Sequence, residues 1–241
     1  MKILIITGGS KGIGKAIAQK YASKSYKVYA LSRSIIDVQN VTQISVDLTN
    51  LSETTNSFKM IFDEFKNKEI SSITLINNAG RLGTIASLEN IKTDDIATSI
   101  QLNYTTPLVL SSLFIKLTEK RNYDKKIISI SSGAAVNPYE GWSVYCSSKA
   151  AIDMMTKTIA AEQNSLKKGV KCTAIYPGVV DTDMQTLIRK TSSENFKNVQ
   201  RFIDLKENNE LYSPEFVADK IFTIDTENQL KNGDIVDVRN F

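Results

Sequence analysis

Residues 7–16 read Thr7-Gly8-Gly9-Ser10-Lys11-Gly12-Ile13-Gly14-Lys15-Ala16, and the stretch fits two different phosphate-binding devices. Counted from Gly9 it runs G-x-x-x-x-G-K, a P-loop short of its last position; counted from Gly8 it runs G-x-x-x-G-x-G, a strand-to-helix turn of the dinucleotide-binding type. The last P-loop position carries the hydroxyl that ligates Mg²⁺. Here it is Ala16, whose methyl group holds no metal. A dinucleotide turn needs a buried strand before the glycines and a helix behind them. Lys2-Ile3-Leu4-Ile5-Ile6-Thr7 is a short apolar, β-branched run, and Ile13, Ile17 and Tyr21 recur at helical spacing. Backbone N–H groups of Gly8, Ser10, Lys11, Gly12, Ile13 and Gly14 are then the candidates to meet a pyrophosphate.

The chain has 241 residues, 41% hydrophobic and 23% charged, which fits one large α/β domain over 1–241 without linker, repeat or low-complexity run. The first apolar run is too short for a signal-peptide core or a membrane span, so a cytoplasmic protein without membrane contact is expected. Cys146 and Cys172 form no C-x-x-C and no disulfide framework. A net charge of +4 with scattered lysines gives no nucleic-acid-binding stripe. There is no histidine, which excludes Ser-His-Asp and Cys-His hydrolases and the usual imidazole metal site; no metal is expected. Proton transfer must fall to Tyr, Lys, Asp, Glu or Cys.

Strand patterns at 2–7, 27–32, about 43–47, 72–76, 126–131, 170–176 and 234–238 alternate with helical patterns near 12–24, 51–67, 93–119, 145–167 and 214–223. The alternation predicts a doubly wound Rossmann fold, a mostly parallel seven-stranded sheet with helices on both faces; a different three-layer α/β fold is the alternative. Its ligand crevice lies at the carboxyl ends of the strands. Conspicuous polar groups follow successive strands there: the glycine turn, Arg33, Asp47, Asn77-Asn78-Ala79-Gly80, Ser131-Ser132 and Pro177-Gly178. Tyr145 and Lys149, spaced i, i+4, share one helix face. A nearby ammonium favours phenolate and lowers a tyrosine pKa from about 10 toward catalytic use. Cys146 points about 100° away around that helix and reads as packing.

These motifs, TGGSKGIG, NNAG, Asn103 within QLNYTTP, ISS ending at Ser132, YCSSK and YPGVVDT, together resemble the short-chain dehydrogenase/reductase family over nearly the whole chain. The resemblance implies that Tyr145 is the general acid in reduction, that Lys149 lowers its pKa and holds the nicotinamide ribose, and that Ser132 orients the substrate carbonyl. It further implies that Asn103 helps anchor a water relay to Lys149, that Asp47 with Leu48 meets the adenine, and that Asn78, Ala79 and Gly80 lie under the adenosine ribose. The backbone of Val180 and the Thr182 hydroxyl are implied to hold the carboxamide, with Pro177 and Gly178 as further cofactor contacts. Where an acid would select NAD, the second strand ends in Ser32-Arg33, and Arg33 with Lys11 suits the extra phosphate of NADP(H).

Between Asp181 and Ser213, Met184, Leu187 and Ile188, then Phe196, Val199, Phe202 and Ile203, fall at helical spacing and predict paired lid helices over about 181–213, which cover a substrate or pack on a partner subunit. Tyr139, Trp142, Tyr176 and Met184 are expected to add an aromatic pocket for a small-molecule carbonyl substrate. The segments 137–142 and 177–185 resemble benzil reductases and, more distantly, sepiapterin reductases, which implies a diketone or a pterin ketone as substrate. In relatives, helices like 93–119 and 145–167 often pair into a homodimer, though some members are monomers. A non-catalytic dinucleotide sensor on the same fold is the alternative function, against which the complete Ser132, Tyr145 and Lys149 set stands.

Overall fold

A computed structural model describes residues 1–227 and 230–241. The elements in order are β1 (Lys2–Thr7), α1 (Gly12–Ser23), β2 (Lys27–Ser32), β3 (Val41–Ser45), α2 (Leu51–Glu64), β4 (Ser72–Asn77), α3 (Thr93–Ile100), α4 (Thr106–Thr118) and β5 (Asp124–Ile130). They continue with α5 (Ser143–Asn164), β6 (Lys171–Tyr176), α6 (Asp183–Arg189), α7 (Val199–Glu207), α8 (Pro214–Thr226) and β7 (Ile235–Asp237). The sheet order is β3-β2-β1-β4-β5-β6-β7, and every pairing is parallel, so the expected fold is the observed one. The strand order reverses between β1 and β4, which opens a crevice between the ends of those strands, at Thr7 and Asn77.

Period-two alternation divides the core between the faces. Ile3 and Ile5 of β1 pack with Phe58 of α2, Phe114 of α4 and Ile152 of α5, while Leu4 and Ile6 pack with Ile17 and Tyr21 of α1 and Ile221 of α8. Covered on both sides, β1 carries an unbroken apolar run rather than an alternating one.

The single helix expected over 93–119 is interrupted. A π-turn at Gln101–Thr105 separates α3 from α4. Pro107 has no N–H to give the carbonyl of Asn103, its α-helical acceptor, and the ladder shifts register ahead of it. The third strand also begins earlier than its pattern, at Val41, where pairing with Val28 outweighs the mixed polarity of Val41-Thr42-Gln43.

One buried charge ties the far end of the sheet to α8. Asp225 accepts from the Tyr21 hydroxyl (2.8 Å) and pairs with Lys126 Nζ on β5 (2.9 Å). Burial and then the Asp225 charge raise the Tyr21 pKa well above its ordinary value. Asp225→Ala strands a cation and a phenol in the core, and a loss of about 3–5 kcal/mol is expected, read as a lower urea midpoint. An unchanged midpoint would show that the network is merely tolerated.

Candidate active site

The glycine turn is shaped by close approach. Gly8 has φ +71°, and a Cβ at Gly14 would lie 2.2 Å from the Gly8 carbonyl oxygen, so a side chain there would push the helix off the turn. Helix α1 starts at Gly12 without a side-chain cap and without an acid in its first turn, leaving its N-terminal N–H groups and positive dipole end for an anion. Ser10 is half-buried in the turn, and Ile13 packs into the core beneath. The Thr7 hydroxyl accepts from the backbone N–H groups of Asn78 and Ala79 (3.1 Å each), and Asn78 Nδ2 donates to the carbonyls of Thr7 (2.9 Å) and Gly8 (3.2 Å). The loop after β4 is thereby stitched to the glycine turn across the crevice. A cradle that fits a dinucleotide results.

Arg33 and Asp47 are exposed beside one another at the ends of β2 and β3. Asp47 accepts from the Thr49 N–H (2.9 Å) and hydroxyl (2.8 Å), which, helped by Arg33, hold its carboxyl below the ordinary value. Leu48 is buried, and its carbonyl accepts from the Thr106 hydroxyl at 2.6 Å. Lys11 Nζ lies 2.8 Å from Asp183 at the start of α6, an exposed pair whose acidic partner the sequence pattern does not announce. Thr182 is the N-cap residue of α6 and would touch a Cβ placed on Gly12 (3.3 Å), so the loop Pro177–Thr182 lies against the glycine turn. Tyr212 braces that loop, donating its N–H to Val179 and accepting at its carbonyl from Asp181; Val180 between them is buried. The ring of Tyr212 fills the space where Gly178, at φ +72°, would carry a side chain.

Three consecutive residues at the end of β5 hold helix α5. Ser132 lies close enough to the Tyr145 phenol to favour its ionised form and caps the following turn by accepting from Ala134 N–H at 3.1 Å. The Ile130 carbonyl accepts from Lys149 Nζ at 2.7 Å. Ser131 donates to Asp153 at 2.6 Å. Tyr145 and Lys149 are both buried, and the ammonium lies 5.6 Å from the phenol ring centroid.

The direction of the tyrosine shift departs from expectation. Burial pushes the Tyr145 phenol up to about 12, against the lowering pull of Ser132 beside it; Lys149 is drawn down to about 8 by burial, partly offset by Asp153. Desolvation disfavours the charged form of each group, and the ammonium is aimed at a backbone carbonyl rather than at the phenol oxygen.

Asn103 sits in the π-turn, fully buried. Its Oδ1 accepts from Arg81 N–H (2.8 Å), and its Nδ2 donates to Arg81 carbonyl (2.8 Å) and Ser148 Oγ (3.2 Å), so the side chain is spent on the loop. A Cβ on the exposed Gly80 would lie 3.4 Å from Asn103 Oδ1 and 3.7 Å from Lys149 Nζ; the missing side chain keeps the approach between them open.

Helices α6 and α7 form the expected pair over Tyr145. Trp142 stacks on Phe196 (centroids 4.7 Å, 8° between planes), meets Tyr145 edge-on (5.8 Å) and lies 4.8 Å from Tyr139; Met184 packs in the same cluster. Lys197 pairs with Glu140 (2.8 Å), and Arg201 donates to the Tyr139 hydroxyl (3.0 Å), fastening the pair over the segment before α5. Tyr176 is a correction. It stands outside this cluster and donates its hydroxyl to Asp153 at 2.5 Å, because its place at the end of β6 faces α5 rather than α6 and α7. Cys146 is half-buried against the Asn137 carbonyl, as its helical angle predicts. Sequence reading missed Asp153; its only signal is a carboxylate eight residues after Tyr145 on the same face, indistinguishable there from a solvated charge.

Residues 2–193 match the family model described as short chain dehydrogenase. The chain is 41% identical to a protein from Bacillus subtilis (strain 168) named benzil reductase ((S)-benzoin forming), over 100% of both chains. It is 38% identical to a protein of the same name from Bacillus cereus, over 98% of each. Among solved structures, that of the KRED1-Pglu enzyme superposes with a TM-score of 0.84 at 27% identity, covering 98% of this chain and 100% of its own.

Proposed function

The chain belongs to the short-chain dehydrogenase family, and from that premise we propose that it is an NADPH-dependent carbonyl reductase acting on α-diketones of the benzil type. The observation that carries this reading is the buried Tyr145 phenol beside the half-buried Ser132, backed by Lys149 and roofed by the aromatic wall of Trp142, Tyr139 and Phe196. The two benzil reductases matched over their full length support the substrate class.

In this reading the glycine turn and the α1 N-terminus hold the pyrophosphate, Asp47 and Leu48 flank the adenine, and Asn78, Ala79 and Gly80 flank the adenosine ribose. Arg33 with Lys11 takes the 2′-phosphate, Lys149 the nicotinamide ribose, and the Val180 backbone and Thr182 hydroxyl the carboxamide, with Pro177 and Gly178 as further contacts. When bound, the nicotinamide supplies the hydride. Ser132 and Tyr145 hydroxyls together receive the carbonyl oxygen as it gains charge, and Tyr145 gives it a proton. Burial keeps the phenol protonated, at about 12, but makes it a weaker acid, so its proton leaves only as the alkoxide develops beside it. Lys149 then stabilises the phenolate, and Asn103 holds the loop at Arg81 beside the path by which the proton is replaced. The lid excludes water.

A homodimer through α4 and α5 belongs to the same reading, supported by the exposed apolar Leu108 and Met154 on those helices. The test of function is a screen for NADPH oxidation by the purified protein against benzil, other diketones, pterin ketones and simple aldehydes; failure with every diketone removes the substrate assignment. Cofactor choice is tested separately. Arg33 with Lys11, the latter in an exposed pair with Asp183, takes the phosphate contact, and Arg33→Ala is expected to raise KM for NADPH about tenfold or more while leaving that for NADH nearly unchanged. Equal use of NADPH and NADH by the unmodified enzyme defeats the assignment.

A further inference from the structure

Tyr145, Lys149 and Asp153 stand four residues apart on one face of α5, opposite Ile130-Ser131-Ser132; Ile130 and Ser131 bond Lys149 and Asp153, and Ser132 lies beside Tyr145. The first two belong to the proton-donating site as read above. The third has the build of a component of that site. Its carboxylate is buried at 8% exposure, with Oδ1 accepting from Ser131 (2.6 Å) and Oδ2 from Tyr176 (2.5 Å). Both partners are neutral donors, and among the described residues no cation lies within ion-pairing distance of it. Lys149, equally buried, gives its charge only a backbone carbonyl. A carboxylate and an ammonium shut into one dry region, each dressed by neutral partners, face each other across a helical turn, and the carboxylate favours the charged form of the lysine.

We propose that Asp153 is a positioning residue of the reductase site: its buried carboxylate, clamped by Ser131 and Tyr176, is the counter-charge that keeps Lys149 an ammonium beside Tyr145. The proposal rests on the reading of Tyr145 and Lys149 given above. Asp153 is the one group that opposes the lowering of Lys149 by burial. The other titratable groups facing the pair are Tyr145 on the same helix, Tyr176 on β6, raised by burial and by the Asp153 bond, and Asp237 behind Tyr176, which is tied to Arg239 at 2.5 Å.

The test is Asp153→Asn in the full chain, which keeps the shape and can still accept from a hydroxyl but removes the charge. Without Asp153, Lys149 loses its proton at lower pH. The alkaline fall of kcat/KM for NADPH-dependent benzil reduction is expected to move down by about one pH unit, giving about fivefold loss at pH 8, about tenfold above pH 9 and near-equality at pH 6. NADPH affinity read by nucleotide fluorescence without substrate is expected to weaken over the same pH interval, and Asp153→Glu to restore both. An unmoved alkaline limb, or a loss by one factor at all pH values, overturns the proposal. If Asp153→Asn does not fold, the Ser131→Ala/Tyr176→Phe double variant, which undresses the carboxylate and favours its protonation, is held to the same two outcomes. Tyr145→Phe separates the two levels: activity retained there removes the reading of the site, whereas collapse there with an unmoved limb in Asp153→Asn removes only the role of Asp153.

Discussion

Tyr145→Phe is expected to lower kcat for diketone reduction by about 10²–10⁴-fold with NADPH binding unchanged, the range that a positioned general acid supplies. The substitution keeps the ring and its edge-on contact with Trp142, so the packing under the lid survives. What disappears is one hydroxyl, its place beside Ser132 and the proton it holds. Stopped-flow loss of NADPH absorbance with benzil measures the step. A variant that kept most of its kcat would place the proton source elsewhere. In a chain without histidine the search would turn to water or to a carboxylate such as Asp181, which is already paired with Lys206 at 2.7 Å.

Lys149→Ala is expected to fail twice. Loss of the ammonium removes the charge that stabilises the phenolate, lowering kcat at least as far as Tyr145→Phe does. Loss of the ribose contact, a charge-assisted hydrogen bond worth about 1.5–3 kcal/mol, raises KM for NADPH about tenfold or more. An unaltered KM would show that Lys149 does not hold the cofactor. The pH dependence carries a sign. Burial lowers Lys149 to about 8, so the folded enzyme keeps the proton below that pH and releases it above. The reduction rate of the unmodified enzyme is therefore expected to fall as pH rises through about 8, and the variant to lack that limb.

What the sequence makes legible here is whatever depends on short-range pattern. The apolar run before the glycines, the i, i+4 placement of Tyr145 and Lys149 and the amphipathic spacing within 181–213 all depend on neighbours in the chain, and the strand-helix alternation leaves few topologies. Partners distant in sequence were not legible. The pairing of Lys11 with Asp183, 172 residues on, has no local signal. Tyr176 reads as a pocket aromatic until the direction of β6 turns it toward Asp153. The direction of the Tyr145 shift was lost for the same reason: spacing tells that an ammonium is near, and only packing tells how much water both groups have given up. The π-turn did have a local signal, Pro107, whose effect the helical periodicity on both sides conceals.

An all-parallel sheet contains no hairpin, and this bears on how the chain reaches its native state. Every strand pairing closes a crossover, and β1 gains its second neighbour only when Ser72–Asn77 arrives beside it. Until then the Thr7 hydroxyl has no Asn78 or Ala79 N–H to accept from, and the glycine turn is a loop lacking one of its walls. Non-local closure of this kind slows folding and leaves apolar strands exposed while it lasts. On a ribosome the nucleotide cradle cannot assemble before residue 79 has left the exit tunnel, and a nascent chain stalled short of that point is expected to be open to protease along Lys2–Thr7.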